Sequence, residues 1–304
     1  RFEELKELWS QLNRKYIVFY QNDIDRQIEA ALPEILRSDV FMHQTINSKR
    51  QKVMSCDEGR AIVMQQTGQQ YVIAGKEIHY NEFLKRACRQ TSIPIKMLHF
   101  AICNYARTNN LDGYINESSL SAFIAKFNGW KIKNLQNLVK YRQANYSSKS
   151  TAFTNADGSL KEDVLQWTIG KNVLSAEPSK KYLYDKVVYD SPLEKENIMN
   201  EVDQVIVYGK IPQKSISIPN ITNDLYSPDF MYVVQRTDGK KELNIVIETK
   251  DVPNDEAKRV IEDAKINNAE NFFQQLKLDG YDVKFCRQLQ NKQIANIISE
   301  LLEA

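Results

Sequence analysis

Residues 226–250 constrain the fold of this 304-residue chain more than any other stretch. They contain two apolar runs, 230–234 and 245–247, separated by a short polar segment that includes Asp238 and Gly239. An Asp-Gly pair readily supplies the positive φ angles of a tight reversal, so the pattern predicts a β-hairpin. The second run is apolar at three consecutive positions, which is typical of a central strand buried on both faces.

Charged side chains gather at the open end of this predicted hairpin. Asp229 stands at the start of the first strand, and Glu248 and Lys250 stand at the end of the second. Antiparallel pairing places the start of one strand beside the end of the next, so these three residues should meet. Because side chains alternate along a strand, Glu248 and Lys250 should point the same way and Thr249 should point away.

Two carboxylates on one side of a sheet end repel each other unless a cation lies between them. Hard carboxylate oxygens suit Mg²⁺, and a bound divalent ion lowers the pKa of its water and neutralises charge on a phosphoryl oxygen. A neighbouring lysine can position or deprotonate the attacking water. The pattern therefore fits phosphodiester hydrolysis with Asp229, Glu248 and Lys250 as catalytic residues. A surface hairpin with ordinary charged ends fits the same spacing.

These residues resemble a known arrangement. Pro228-Asp229, a spacer and Glu248-Thr-Lys250 resemble the PD-(D/E)xK nuclease core. Residues 208–219, together with Tyr-Ser-Pro-Asp-Phe and Ile-Glu-Thr-Lys from the hairpin, resemble the C-terminal endonuclease region of the Res subunit of Type III restriction enzymes. The specific motifs cover about residues 190–278, and a thinner resemblance continues toward the N-terminus.

The resemblance implies an α/β (α+β mixed) fold with a restriction-endonuclease-like core, in the order helix, strands, helix, strand. It implies a Mg²⁺-dependent endonuclease that cuts double-stranded DNA, with Asp229 and Glu248 as metal ligands and Lys250 acting on the water. An acid of the first helix would complete the metal site; Glu194 is the first candidate, and Glu196 and Glu201 are the alternatives. Glu194 also stands three residues after Ser191, where a capping box explains it without any chemistry.

The resemblance also implies partners. A methyltransferase subunit would read the target sequence, and an ATP-dependent helicase module would precede the nuclease. No G-x-x-x-x-G-K-[ST] motif occurs in this chain, so ATP would be used only by that module. Since the chain starts at Arg1, we expect a fragment of a longer protein. Two alternatives are a non-catalytic scaffold of nuclease fold that docks the methyltransferase or DNA, and a stand-alone DNA repair nuclease.

Charge is distributed unevenly along the chain. Residues 1–80 carry 11 Lys+Arg and 11 Asp+Glu, residues 81–150 carry 11 and 3, and residues 151–304 carry 19 and 25. The predicted organisation is a mixed α/β coupling region over 1–150, a linker over 151–180 and the endonuclease domain over 181–304. A basic middle beside an acidic, site-bearing domain is typical of enzymes that act on nucleic acids.

Six cations are candidates for contacts with DNA phosphates. Four lie in residues 129–142, and two lie near the predicted strands of the core; they are Lys131, Lys133, Lys140, Arg142, Lys210 and Lys214. Lysines neutralise phosphates without reading sequence. The alternative for the segment 129–142 is a solvated amphipathic helix that packs Leu135, Leu138 and Val139 on the core.

Cysteine spacing and hydrophobicity set further bounds. The four cysteines lie far apart with no C-x-x-C pair, which favours the reducing cytoplasm over a disulfide or zinc framework. No apolar run approaches the length of a membrane span. Helical periodicity predicts helices over 2–13, 81–91, 94–107, 117–127, 256–278 and 290–303. A further helix should run from a cap at Asp23 or Asp25 to about Arg37, with a kink or break at Pro33, and another should start after an N-cap at Ser191. Strands are predicted over 16–20, 205–208, 215–219 and 282–286, with a hairpin over 60–74.

Overall fold

The computed structural model describes residues 2–37, 39–42, 45–48, 69–72, 77–144, 150–236, 242–250, 256–289 and 292–303. Its helices are α1 (Phe2–Leu12), α2 (Asp25–Arg37), α3 (Tyr80–Thr91), α4 (Ile95–Ala106), α5 (Glu117–Leu135), α6 (Gln166–Ile169), α7 (Pro192–Met199), α8 (Glu256–Leu278) and α9 (Ile294–Glu303). Its strands are β1 (Tyr16–Tyr20), β2 (Thr45–Ser48), β3 (Gln69–Val72), β4 (Val139–Gln143), β5 (Asn172–Leu174), β6 (Val187–Tyr189), β7 (Val205–Lys210), β8 (Ile218–Pro219), β9 (Leu225–Tyr226), β10 (Phe230–Gln235), β11 (Glu242–Lys250) and β12 (Val283–Leu289).

A four-stranded sheet in the order β12-β11-β10-β7 carries the candidate site. β10 pairs antiparallel with both β11 and β7, whereas β11 pairs parallel with β12. Parallel neighbours need a long crossover connection, and α8 supplies it. α8 ends where Gly280 adopts a left-handed φ of +93°, as the Asp279-Gly280 pair predicts.

Both faces of this sheet are covered, which explains its continuous apolar runs. Tyr208, Tyr232 and Ile247 belong to a buried cluster on one face that also includes Ile297 and Ile298 of α9. Alternation turns Met231, Val233 and Val246 to the opposite face, where they are also buried. The central position of β10 and β11 fixes the site end of the hairpin within a packed core.

Contacts divide the chain into two compact units, which differ from the predicted boundaries at 150 and 180. One unit contains residues 1–22 and 132–304, and the other contains residues 23–131. In the first unit α1 packs against β7 and β10, and β1 pairs with β4, so both ends of the chain join one core. The role of residues 1–150 as a coupling region stays a prediction.

The unit formed by residues 23–131 is built on helices. Its buried cluster joins α2, α3, α4 and α5 through residues such as Leu32, Phe83, Leu98 and Phe123. β2 and β3 form a separate antiparallel pair. Asn116 caps α5, because its Oδ1 accepts the Ser119 backbone amide at 3.0 Å.

Several local predictions differ from the structure. The strand over 69–72 pairs with β2, and residues 60–68 and 73–74 of the predicted hairpin lie outside the described residues. α2 continues through Pro33, because its buried face holds the helix together. The predicted strand 215–219 is shortened to β8 (Ile218–Pro219), and Lys214, just before it, adopts a left-handed φ of 62°. α9 begins at Ile294 rather than 290.

The segment 129–142 is not one amphipathic helix. α5 ends at Leu135, a 3-10 turn covers Gln136–Leu138, and β4 begins at Val139. Pairing with β1 takes these residues into a strand, since it buries Tyr141 on the inner side. Among the described helices, none is long and apolar enough to cross a membrane.

Candidate active site

Asp229 lies immediately before β10, where the strand enters the sheet beside β11. Its backbone amide donates to the Ile247 carbonyl at 3.2 Å, and its own carbonyl accepts from the Ile211 amide at 2.7 Å. Its carboxylate Oδ2 accepts two hydrogen bonds from Thr249, one from the backbone amide at 2.8 Å and one from the hydroxyl at 2.6 Å. Thr249 was expected to point away from the site, but its hydroxyl reaches Asp229.

The Asp229 carboxyl has a strongly perturbed affinity for protons. Burial raises its pKa to about 6, the hydrogen bonds from Thr249 act in the opposite direction, and the Glu194 carboxylate raises the pKa further. Lys210 lowers it by a smaller amount. An acidic group that is costly to ionise in the folded protein is a group that a divalent cation would stabilise.

Glu248 is the second carboxylate at this end of the hairpin. It is buried at 7% exposure near the end of β11, and the Tyr226 hydroxyl of β9 donates to its Oε2 at 2.6 Å. Burial, together with the charges of Glu248 and Asp229, holds the pKa of Tyr226 well above its ordinary value. Tyr226 therefore stays a phenol and a hydrogen-bond donor, with both predicted ligands close to it.

Replacing Tyr226 by phenylalanine should keep the ring and remove only this hydrogen bond. We expect unfolding free energy to fall by about 1.5–3 kcal/mol, since the acceptor is a buried carboxylate. Metal affinity should fall as well, because Glu248 loses its fixed orientation. Chemical denaturation and calorimetry of Tyr226→Phe would measure the two effects. Unchanged values for both would contradict this role.

Glu194, the predicted third ligand, is engaged elsewhere. Its Oε2 lies 2.7 Å from the Lys210 Nζ, and it accepts the backbone amide of Asp190 at 2.6 Å. Ser191 and Glu194 form the complete capping box at the start of α7. The capping alternative for Glu194 is therefore confirmed.

Lys210, predicted as a contact to DNA, is buried at 3% exposure beside Glu194. Its Nζ also lies 2.7 Å from Asp190 Oδ2, so one ammonium bridges two carboxylates. Asp190 in turn accepts the Lys171 backbone amide at 3.0 Å. The cation thus fixes α7 and the segment before it to β7, and a buried ammonium held in this way is not presented to a phosphate.

The carboxylates fit a hard divalent cation in part. Asp229 and Glu248 supply the oxygen donors that Mg²⁺ prefers. The charges of both carboxylates raise the pKa of Tyr226, so both lie close to it at one end of the sheet. Lys210 and the helix cap engage Oε2 of Glu194, and these contacts do not support its predicted role as a ligand. Among the residues with described side chains, no group of three or more His, Cys, Asp or Glu is arranged to hold a metal. The predicted three-carboxylate set is thus not assembled.

Lys250 ends β11, where it pairs in register with Leu289 of the parallel neighbour β12. Its side chain lies outside the described part of the structure, as does the turn around Asp238 and Gly239. The role of Lys250 stays a prediction. The hairpin itself is confirmed, since Phe230 pairs with Ile247 and Gln235 with Glu242.

The other predicted DNA contacts fall into two groups. Lys131 is buried, its Nζ lies 3.4 Å from the Thr91 carbonyl, and burial lowers its pKa to about 8. This position does not favour a phosphate contact. The exposed residues are Lys133, Lys140, Arg142 and Lys214. Contact with DNA by these four stays a prediction.

Sequence reasoning missed three participants of this site: Thr249, Tyr226 and Asp190. The middle residue of an E-x-K motif carries no signal for a hydroxyl partner. The hydrogen bond from Tyr226 to Glu248 joins residues 22 positions apart, and it is decided by the fold. A buried amide pair was also missed, in which Asn197 and Gln288 exchange hydrogen bonds at 2.5 and 3.0 Å. Gln288 is paired in register with Thr249, so this pair supports the strand next to Asp229.

The chain is similar in sequence to known proteins. Residues 180–292 match the family model described as an endonuclease domain. The chain is 30% identical over 313 residues to the "Type III restriction-modification enzyme EcoPI Res subunit" of Escherichia phage P1, with 99% of this chain and 32% of the relative covered. The predicted relationship to Type III Res subunits is confirmed. The restriction-endonuclease-like fold class is confirmed with it.

Two further relatives give the same result. The EcoP15I Res subunit of Escherichia coli is 30% identical over 311 residues, and the StyLTI Res subunit of Salmonella typhimurium is 26% identical over 317 residues. Each alignment covers 99% of this chain but only 32% and 31% of the relative, so the chain spans about a third of their length. No solved structure matches the chain.

Proposed function

We propose that the endonuclease domain of this chain hydrolyses phosphodiester bonds of double-stranded DNA and depends on Mg²⁺ for this activity. The observation that carries the proposal is the pair of carboxylates, Asp229 and Glu248, held at one end of the central hairpin in a chain related over its length to Res subunits. A bound Mg²⁺ would lower the pKa of water and offset charge on the phosphoryl group.

Different residues would bind the metal, orient its ligands and position the attacking water. Asp229 and Glu248 would bind the cation, with Thr249 and Tyr226 fixing the two carboxylates through hydrogen bonds. Orientation of ligands by such outer partners commonly changes metal affinity by about 10–100-fold. Lys250 would position the attacking water from the end of the same strand.

Because the chain spans about a third of its relatives, their other parts enter as proposals. The relatives are named as Res subunits of Type III restriction-modification enzymes. We infer that a methyltransferase subunit reads the target and that an ATP-dependent helicase module belongs to the same full-length chain. Similarity to Res subunits over 99% of the chain favours this arrangement over a stand-alone repair nuclease.

A non-catalytic scaffold is the second candidate. It is favoured by one observation, the engagement of Glu194 by Lys210 and the helix cap, which leaves two assembled carboxylates rather than three. Against it, Asp229 and Glu248 are both present at the hairpin end, and many Mg²⁺ sites use only one or two carboxylates with water.

The test is nicking and linearisation of supercoiled plasmid by the purified chain with Mg²⁺ or Mn²⁺, followed on agarose gels. We expect cleavage with metal, none with EDTA and none for Asp229→Asn. The assay is repeated with the methyltransferase subunit and the full-length Res chain. If neither the purified chain nor the full-length assembly cleaves DNA in the presence of metal, the scaffold function is favoured.

Metal binding should depend on pH through Asp229. Its pKa is raised to about 6, so protons compete with the cation below that value. Affinity for Mn²⁺ should increase as pH rises from about 5 to 7, by up to tenfold per unit while Asp229 is protonated, and then level off. Calorimetric titrations across this range measure it. A flat profile down to about pH 5 would contradict Asp229 as a ligand with this pKa.

A further inference from the structure

The ribbon formed by β1 and β4 has two chemically different faces. Its register pairs Ile17 with Arg142 and Phe19 with Lys140, so alternation places these four residues on one face. All four are exposed, with Ile17 at 37% and Phe19 at 39%. The Arg142 guanidinium lies 5.7 Å from the centre of the Phe19 ring. We call these four residues the outer face of the ribbon.

The inner face holds the ribbon firmly on α8. Tyr16 and Tyr141 pack edge-to-face on Phe272, with ring centres 5.0 and 5.5 Å apart. The Tyr16 hydroxyl donates to Asp279 Oδ2 at 2.6 Å, and the Tyr141 hydroxyl donates to the Pro219 carbonyl at 2.7 Å. The inner face is fixed by these contacts, so the exposure of the outer face is a property of the folded ribbon.

The same anchor connects the ribbon to the candidate active site. Pro219 belongs to β8 and pairs with Leu225 of β9. The next residue, Tyr226, donates to Glu248. One short two-stranded element thus links the ribbon to a carboxylate of the site, within the same compact unit.

The chemistry of the outer face favours one class of partner. The ribbon sequences, Tyr-Ile-Val-Phe-Tyr and Val-Lys-Tyr-Arg-Gln, contain no acidic residue. A two-stranded β-ribbon fits the major groove of DNA, cations contact phosphates, and apolar side chains contact thymine methyl groups or insert at base steps. An acidic protein surface could contact Lys140 and Arg142. It would not explain why the apolar side chains of Ile17 and Phe19 stand beside these two cations.

We propose that the outer face of the β1–β4 ribbon binds duplex DNA and holds the substrate beside the candidate active site. Lys140 and Arg142 contact phosphates, while Ile17 and Phe19 contact the apolar surface of the groove. This inference rests on the proposed function, since it takes DNA as the substrate. It goes beyond the lysines predicted from the sequence, because it adds the residues of β1 and places the contact on one face.

The test is fluorescence anisotropy of a labelled duplex with the purified chain in EDTA, at several salt concentrations. The variant Lys140→Gln/Arg142→Gln is compared with Lys186→Gln/Lys277→Gln, which removes two exposed cations of the same unit. For the ribbon variant we expect affinity to fall by about ten- to sixtyfold near 0.1 M salt, and the slope of log affinity against log salt to shrink by about 1.8. The control should change little.

Phe19→Ser separates the apolar contact from the charges. We expect weaker binding with an unchanged salt slope, and circular dichroism to confirm that the ribbon remains folded. Binding of both ribbon variants at the level of the control would overturn the proposal. Failure of the wild type to bind duplex would overturn it too. In a competition assay, an acidic peptide that displaces duplex equally well from the wild type and from the ribbon variant would also overturn it.

The two proposals can fail separately. Asp229→Asn should bind duplex in EDTA like the wild type, since the ribbon is intact. If the ribbon variants lose binding but no form of the protein cleaves DNA, the proposed function fails and the ribbon inference stands. If DNA is cleaved while ribbon variants bind like the control, only the ribbon inference fails.

Discussion

Asparagine in place of Asp229 is expected to abolish binding of Mn²⁺ or Mg²⁺, with an affinity loss of about 100-fold or more. The physical reason is that Asp229 and Glu248, which both lie close to Tyr226, are the two proposed ligands, and removing one charge leaves Glu248 as the single charged ligand. Losing an outer partner of a metal ligand already costs about 10–100-fold, so losing a ligand should cost at least as much. Isothermal titration calorimetry measures this directly.

Two controls separate a lost ligand from a damaged fold. Asp203→Asn changes an exposed acid of the same unit and should leave metal binding unchanged. Stability gives the second control, because a carboxyl whose folded pKa lies above its unfolded value destabilises the fold as pH rises through that interval. Asp229→Asn should therefore melt no lower than the wild type at pH well above 6. Wild-type affinity in Asp229→Asn would refute the assignment.

Lys210→Met is expected to cause the largest loss of stability. The side chain is buried at 4% exposure and its ammonium contacts Glu194, whose side chain is 8% exposed. Removing one partner leaves a buried carboxylate without its counter-charge, which typically costs about 3–5 kcal/mol. Urea denaturation of wild type and variant at neutral pH measures the change in unfolding free energy.

The matched control is Lys214→Met, at an exposed lysine close by in sequence. It should change unfolding free energy by no more than about 0.5 kcal/mol. A second variant, Lys210→Met with Glu194→Gln, should recover part of the lost stability, because the unpaired charge is gone. If Lys210→Met unfolds like the control, the bridge between α7 and β7 contributes nothing and its assigned role is wrong.

The core of the fold was predictable because its signals are local and mutually consistent. The apolar runs around Ile245 and Phe230 indicated buried central strands, and both lie in the middle of the sheet. Ser191, Pro192 and Glu194 indicated the start of α7, which the capping box confirms. Asp279 and Gly280 marked the end of α8 in the same way.

Long-range features were not predictable from the same signals. β4 was not predicted as a strand, because Leu135, Leu138 and Val139 also match a helical period, and only pairing with β1 decides between the two. Alternation placed Thr249 away from the site, yet the entry of Asp229 into the sheet brings its carboxylate to the Thr249 hydroxyl. Register and neighbours, rather than propensity, determine such contacts.

Charge was the least reliable guide to function. Lys131 and Lys210 carry the same formal charge as Lys140, but both are buried and contact protein oxygens. Sequence gives the number of cations and not their environment, so it could not separate an internal counter-ion from an exposed cation. Alternation along β4, once its register is known, does separate them.

The most direct test of Asp229 and Glu248 as metal ligands is anomalous X-ray diffraction from crystals of the chain soaked in Mn²⁺. We expect one anomalous peak at bonding distance, about 2.0–2.2 Å, from carboxylate oxygens of both Asp229 and Glu248, with Glu194 still paired to Lys210. A peak ligated by Glu194, or no peak at the end of the β10–β11 hairpin in well-soaked crystals, would contradict it.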